Sequence, residues 1–267
     1  MNMKKRYNNC RLFFICGLVI SLFFVSASGF SGCGIDTIYV INSPHLAGNE
    51  VLYDDEDPAN KTFCFRTDED NSSLQGIIFL GTDVYYKIYQ SDSRMKNEVD
   101  YLNSLANDEE KSYISADKLR LSKGSGGYDY RRLKAKKGTS EHVLIPKSSS
   151  TDSQLVKIRL TDFSTTYPSI IDVYPDTGNL SNVHHYGKPV RDIPGKVYDF
   201  NFGRTNADNR KPDVGDNDFD SEGTSVDDKY YVALFAVSVG QDSGYEQHYS
   251  NIEYLGAVTI KSDVLDN

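Results

Sequence analysis

Residues 230–239 read Tyr-Tyr-Val-Ala-Leu-Phe-Ala-Val-Ser-Val, apolar at odd and even positions alike. A strand with one face in water alternates, so a run that does not alternate predicts a central strand covered on both sides. Around it, other stretches keep the two-residue period. Ile252–Ile260 (IEYLGAVTI) follows closely in the chain. Asp83–Gln90 (DVYYKIYQ) sets Val84, Tyr86 and Ile88 against Tyr85, Lys87 and Tyr89. Leu155–Thr161 points Val156, Ile158 and Leu160 one way and Lys157, Arg159 and Thr161 to water. Thr37–Ile41, Thr62–Thr67, His142–Ile145, Ile170–Tyr174 and Val197–Phe202 complete nine predicted strands.

One stretch has the helical period instead. Met95, Val99, Leu102 and Ala106 recur at three- and four-residue spacing, with Ser91 and Ser93 just ahead to accept first-turn amides. This predicts one amphipathic helix over about 93–107, laid on the sheet. Glu50–Lys61, Lys118–Gly138 and Gly203–Asp228 are too charged or too rich in Gly, Pro, Asn and Asp to pair, and read as loops. The 19 Tyr and 13 Phe favour pleated, half-buried surfaces. The fold class predicted is all-β, an antiparallel β-sandwich with one inserted amphipathic helix and long polar loops. It occupies residues 37–267, with insertions near 91–140 and 203–228.

Residues 1–32 are of another kind. Lys4, Lys5, Arg6 and Arg11 make a basic start with no acid before Asp36, and an uncharged apolar run, Leu12 to Val25, follows. That is the plan of a secretory signal, and its core is short of the roughly 20 residues a spanning helix needs. Small residues Ser26, Ala27, Ser28 and Gly29 come next. Two competing readings stay open: cleavage after Ala27 or Gly29, leaving Cys33 a free thiol, and a signal anchor extended to Cys33. With the leader removed, its four bases go. The mature chain then holds 25 bases against 38 acids, a net charge of −13, which repels nucleic acid and anionic membrane surfaces. No nucleic-acid partner is expected. Cys10 and Cys16 leave with the leader, so no disulfide framework remains and a packed core must supply stability.

Phe30-Ser31-Gly32-Cys33 resembles the lipobox of bacterial lipoproteins, in which small residues precede a cysteine that takes a diacylglyceryl thioether. Phe30 stands where Leu is usual, a departure that spirochaetal lipoproteins tolerate, and Gly34 offers no inner-membrane retention signal. The resemblance implies lipidation at Cys33, a short tether over 33–36, and a membrane partner reached through the acyl chains. The place implied is the cell envelope, extracytoplasmic, at the outer membrane or the periplasmic face. Several buried acyl chains, each CH₂ worth about 0.8 kcal/mol, would make that anchor effectively permanent. DVYYKIY, and KYYVALFAV followed by SNIEYLGAVTI, resemble a central strand and the last two strands of a fibronectin type III or Ig-like domain. The likeness covers some 40 residues, without the family's core Trp and with about 140 residues between its parts. As a whole the chain is similar to uncharacterised spirochaetal lipoproteins, a family that brings no assigned chemistry.

Three charged features invite chemistry. In the acidic run 213–223, Asp216, Asp218, Asp220 and Glu222 alternate as Ca²⁺ ligands do, although neither EF-hand register completes the pattern: one puts Lys229 at position twelve, the other loses the glycine. A solvated acidic loop is the competing reading. Between Lys118 and Lys137 lie eight bases and one acid. Arg131, Arg132, Lys134, Lys136 and Lys137 are the candidates for docking an envelope protein or a polyanion, with Tyr128 and Tyr130 near for stacking; a solvated loop competes here too. His184-His185 would need His248 or His142 to complete a zinc site, and neighbours on a strand point apart. Cys64 alternates with Phe63 and Phe65, as a small buried hydrophobe does. No GxSxG elbow, HExxH, phosphate-cradling loop or CxxC occurs. The expected function is that of a membrane-anchored binding or structural module. The alternative is a cell-envelope carbohydrate-active enzyme with two carboxylates brought together by the fold beside an aromatic wall. A third reading is a sandwich stabilised by Ca²⁺.

Overall fold

Two strands far apart in sequence form the spine, and both are longer than their sequence period suggests. The computed structural model describes residues 39–136, 142–149, 152–175, 181–203, 210–224, 226 and 228–262. The leader, Cys33 and the tether at 33–36 lie outside the described residues. By contact density Met1–Tyr39 separates from Val40–Asn267, and the second unit holds all the elements below. The strands are β1 (His45–Leu46), β2 (Phe63–Arg66), β3 (Ile77–Tyr89), β4 (Arg131–Arg132), β5 (Lys134–Ala135), β6 (Ile145–Pro146) and β7 (Leu155–Arg159). The chain continues with β8 (Ile170–Tyr174), β9 (His184–Gly187), β10 (Pro189–Val190), β11 (Phe219–Asp220), β12 (Lys229–Asp242), β13 (Gln247–Tyr249) and β14 (Glu253–Lys261). Two α-helices, α1 (Asp92–Ala106) and α2 (Ser115–Arg120), lie between β3 and β4.

The smaller main sheet has strand order β1-β2-β7-β8-β9, antiparallel throughout. In the larger one β12 runs antiparallel to β3 over nearly its whole length, Tyr231 facing Tyr89 and Asp242 facing Ile77. The other edge of β12 pairs with β14 along its first part and with β13 along its last, and the far edge of β3 takes β6, β4 and the parallel β11 in succession. A two-stranded pair, β5 with β10, stands apart. The described residues are thus mostly antiparallel sheet with few helices, an all-β fold.

The two faces of β12 go to two different cores, which is why its sequence does not alternate. Val232, Leu234 and Ala236 join Val84, Tyr86 and Ile88 of β3 in one cluster with Phe63, Phe65, Val156, Ile158, Ile171 and Val173 of the smaller sheet. Tyr231, Ala233, Phe235 and Val237 face the other way, against Met95, Val99 and Leu102 of α1 and Ala116 and Leu119 of α2. The larger sheet is therefore the middle of three layers, apolar residues packing on each side. α1 begins where the sequence predicts: Ser91 is its N-cap, its hydroxyl accepting from the Arg94 amide. The short α2 runs over the start of the segment from Lys118 expected to be loop.

Two predicted strands do not form. Tyr39–Ile41, the described part of the first, is not in a strand. Ile41 is buried, and the next residue, Asn42, pairs its backbone with the Asn71 side-chain amide (2.7 and 2.9 Å). Around Phe200 and Phe202 the side chains enter the core as expected, but the backbone is irregular. Asp199 accepts from the Asn201 amide at 2.9 Å, a local bond that competes with a sheet ladder. The bases of 118–137 are likewise partly in regular structure, through α2, β4 and β5.

At Leu234/Phe235 the β12–β14 register slips, with Leu255 unpaired beside Gly256. Gly256 has φ +112°, and the Val51 backbone bridges to it, Ala257 N donating to Val51 O at 2.9 Å. A Cβ there would stand 2.3 Å from Val51 O. Gly256→Ala is expected to destabilise the protein by roughly 1–3 kcal/mol, read as a shift in the urea midpoint. Gly124→Ala, where a Cβ meets nothing within 4 Å, should stay within about 0.5 kcal/mol. Equal midpoints for the two variants would remove the bridge from the account of this fold.

Candidate functional site

Lys87 sits in β3 on the face that α1 covers, flanked by Tyr85 and Tyr89, and it is buried. An ammonium taken out of water needs anions and acceptors close by. Its Nζ donates to Glu98 Oε2 of α1 at 2.6 Å and to the Tyr128 carbonyl at 3.0 Å, and lies 3.3 Å from Asp220 Oδ2 of β11. Tyr89 Oη also donates to Glu98 Oε2 (2.8 Å) and bonds Tyr130 Oη (2.8 Å). Arg94 closes on Glu98 Oε1 at 3.2 Å, and Lys123 donates to Asp220 at 3.0 Å. Glu222 is shared between Arg94 and Lys123 at 3.3 and 3.8 Å. Burial raises the Asp220 pKa, but the bonds from Lys123 and from the Glu222 amide, with the charge of Lys87, hold it below the ordinary carboxylate value.

The opposite face of the same sheet edge holds a second charge cluster. Arg191, 1% exposed, donates to both carboxylate oxygens of Asp218 (2.9 and 2.7 Å) and to Asp216 (2.8 Å). Tyr86 Oη donates to Asp218 at 2.6 Å and accepts from the Asp192 amide at 2.7 Å. Arg210 pairs with Asp216.

These contacts locate the sequence candidates. The acidic run splits: Asp216 and Asp218 hold Arg191, while Asp220 and Glu222 hold Lys87, Arg94 and Lys123. A calcium ion at the run would have to displace guanidinium and ammonium groups already seated. The basic segment is answered from inside as well. Arg131 pairs with Asp129 and donates to the Asn217 carbonyl, Arg132 donates to the His142 carbonyl, and Lys134 pairs with Asp192. Lys136 is also engaged, and Lys137 lies outside the described residues. Lys123 with Asp220, and Arg131 with Asn217, join the two runs directly.

Three further groups bear on chemistry. His184 and His185 are on β9, where His185 Nδ1 meets Asp172 at 2.7 Å. Among the described residues, the three ligand-bearing side chains that gather closely enough to hold a divalent ion are Asp242, Glu246 and His248, on the β12–β13 hairpin. There Asp242 Oδ2 lies 3.1 Å from His248 Nε2, and Oδ1 accepts from the Gly244 and Glu246 amides. Asp162 and Asp199 are the fold-assembled carboxylate pair, both bonded by Asn201 Nδ2 (2.9 and 3.1 Å). Burial raises both pKa values. In Asp162 it is outweighed by the Ser169 amide and hydroxyl and by Lys188, which bring it to about 2; in Asp199 burial prevails. With donors on both oxygens, Asp162 is an anchor rather than a free base. Cys64, half-buried on β2, has its thiol pKa raised by burial.

One open cavity, about 250 Å³, lies at the ends of β12 and β14 against the segment 53–61. Tyr53 and Tyr231, edge to face at 5.9 Å, line it with Lys61, Lys229 and Lys261 and with Asp54, Asp55 and Glu56. The sequence marks Glu50–Lys61 as a loop and gives no sign that it meets Lys229, Tyr231 and Lys261. Their meeting joins a loop to two strands nearly 200 residues away, and no local period announces it.

Breaking a buried pair strands its partner, so Lys87→Met is expected to cost about 3 kcal/mol or more in urea unfolding. Adding Glu98→Gln should cost less than the sum of the two single changes, while exposed Lys123→Met stays below about 1 kcal/mol. A Lys87→Met cost as small as that of Lys123→Met would empty the network of structural meaning. Asp83 gives a pH signature. Burial, against the pull of Arg132 and the Leu144 amide, pushes its carboxyl up to about 6 from 3.8. The folded state therefore binds this proton more tightly, so the group favours folding below about pH 4 and that advantage is lost as pH rises through 6. Asp83→Asn should match wild type near pH 4 and exceed it by roughly 2–3 kcal/mol at pH 8. A stability difference that does not change with pH would contradict this. No known protein family, curated protein or solved structure matches the chain.

Proposed function

We propose that this chain is a lipid-anchored, extracytoplasmic protein of the bacterial cell envelope, and that its β-domain works by binding or structural contact. The observation that carries the anchor is Ser31-Gly32-Cys33 placed directly after a basic, then apolar, leader. Two sheets sharing one core support a sandwich of the fibronectin type III or Ig-like kind, enlarged by the helical layer and the long segments between β3 and β12. A binding role is supported by how the ionisable groups are used. Asp216, Asp218, Asp220, Glu98 and Asp162 each hold a cation or several donors, and so stabilise the fold instead of standing ready for proton transfer. The open, tyrosine-walled cavity and the loops are the surfaces left for a partner. Among the described residues no helix is long and apolar enough to cross a membrane.

The test is the N-terminal mass of the protein recovered from membranes, wild type beside Cys33→Ala. The expected result is a chain beginning at Cys33 with diacylglyceryl and acyl mass added, and loss of that species in the variant. An unmodified terminus after Ala27 or Gly29 would replace the anchor by ordinary secretion. An uncleaved chain would replace it by a signal anchor.

A further inference from the structure

Lys61 is at the head of β2, 9% exposed, and it lines the open cavity between the 53–61 segment and the ends of β12 and β14. Among the described residues its ammonium has no hydrogen bond and no ion pair. Its stem and charge rest over the Phe163 ring, Nζ lying 4.9 Å from the centroid. This contrasts with Lys87 and Arg191, the other deeply buried cations, each of which meets carboxylates at hydrogen-bond distance. Burial lowers the Lys61 pKa, and the charge of Lys261 adds to that, while Asp55 and Glu56 oppose it. The nearby acids are committed elsewhere or exposed. Asp55 accepts from Asn60 Nδ2 and the Asp57 amide, Glu56 is paired with Lys261 at 3.4 Å, and Asp54 is exposed. Lys229 lines the same cavity and has no ion pair among the described residues.

We propose that this cavity is a binding site for a small ligand carrying an anionic group, carboxylate or phosphate, seated on Lys61 with Lys229 and Lys261 beside it. Lys61, Lys229 and Lys261 line one open space, and an anion entering it would give Lys61, a buried ammonium held by no carboxylate among the described residues, the counter-charge it lacks. The volume, about 250 Å³, accommodates an occupant the size of an amino acid or a small sugar phosphate. The Tyr53–Tyr231 edge gives it an apolar wall, and the exposed acids give hydroxyl or ammonium groups an acceptor. This deepens the binding reading by naming a ligand class, but it stands apart from the anchor: lipid mass at Cys33 tests the one and ligand titration the other.

The experiment uses the full chain in detergent and follows its melting midpoint against inorganic phosphate, acetate or glycine, with ionic strength held constant by chloride. The expected result is a saturable rise with at least one probe. In Lys61→Met the apparent dissociation constant should weaken at least tenfold, and in Lys229→Met by a smaller factor. Circular dichroism confirms that the variants are folded, and Lys61→Arg, which keeps the charge, should retain binding. A rise with phosphate alone assigns a phosphorylated ligand. A rise with acetate and glycine assigns a carboxylate, and glycine above acetate an amino-acid-like one. The absence of a saturable rise with all three, or a rise unchanged by Lys61→Met, overturns the proposal.

Discussion

The rest of the structure depends on the neutralisation of Lys87. β3 carries this lysine on a face otherwise filled by Tyr85, Tyr89, α1 and α2, where an unpaired ammonium would cost about 3–5 kcal/mol. Its partners come from three places: Glu98 from α1, the Tyr128 carbonyl from the segment before β4, and Asp220 from β11. The lysine therefore leaves one good way to dock α1. Had the position been leucine, apolar packing would tolerate several helix registers. With an ammonium there, only the register that brings Glu98 to Nζ is affordable.

Asp220 belongs to a longer device. The acidic run crosses the end of β3 with its backbone bonded to it, Ile88 N donating to Asp218 O and Gln90 N to Asp220 O. From this track Asp218 reaches one face of the sheet, to Arg191 and Tyr86, and Asp220 reaches the other, to Lys87 and Lys123. The run straddles the edge and pins both layers at once. It also covers part of an edge that would otherwise offer free amides and carbonyls for pairing with another chain.

Sequence pattern carries the parts of this fold that local periodicity encodes. The absent alternation of YYVALFAVSV shows a strand covered twice, and the apolar spacing from Met95 with Ser91 ahead of it shows the helix and its cap. Leu155–Thr161, whose strand runs over Leu155–Arg159, is equally plain. What pattern does not carry is partnership. Two loops of opposite sign, about 90 residues apart, each look solvated when read alone, and nothing in either says that Lys123 and Arg131 meet Asp220 and Asn217. Lys87 looks like the solvent-facing residue of an alternating strand, because periodicity assigns a face and not what covers that face. Phe200 and Phe202 mark the complementary case: their burial is legible from hydrophobicity, but Asp199 and Asn201 bend the backbone by local bonds that a two-residue period ignores.

This economy of charge shapes what is left for function. The chain has 38 acids against 29 bases, and its two deeply buried clusters hold Lys87 and Arg191 inside while Lys123, Arg131 and Lys134 are held against interior or half-buried partners. Those clusters take in Glu98, Asp218 and Asp220 as well, and the net charge of −9 is far more than they hide, so an anionic ligand approaching this body meets a net-acidic surface. Attraction at short range has to come from cations that the fold has not spent. Lys61 and Lys229 are such cations, and they stand where two long strands end and a loop leaves room between them. That contrast, repulsion outside and unspent ammonium within, selects small anions able to enter the cavity over polyanions that must lie along the surface.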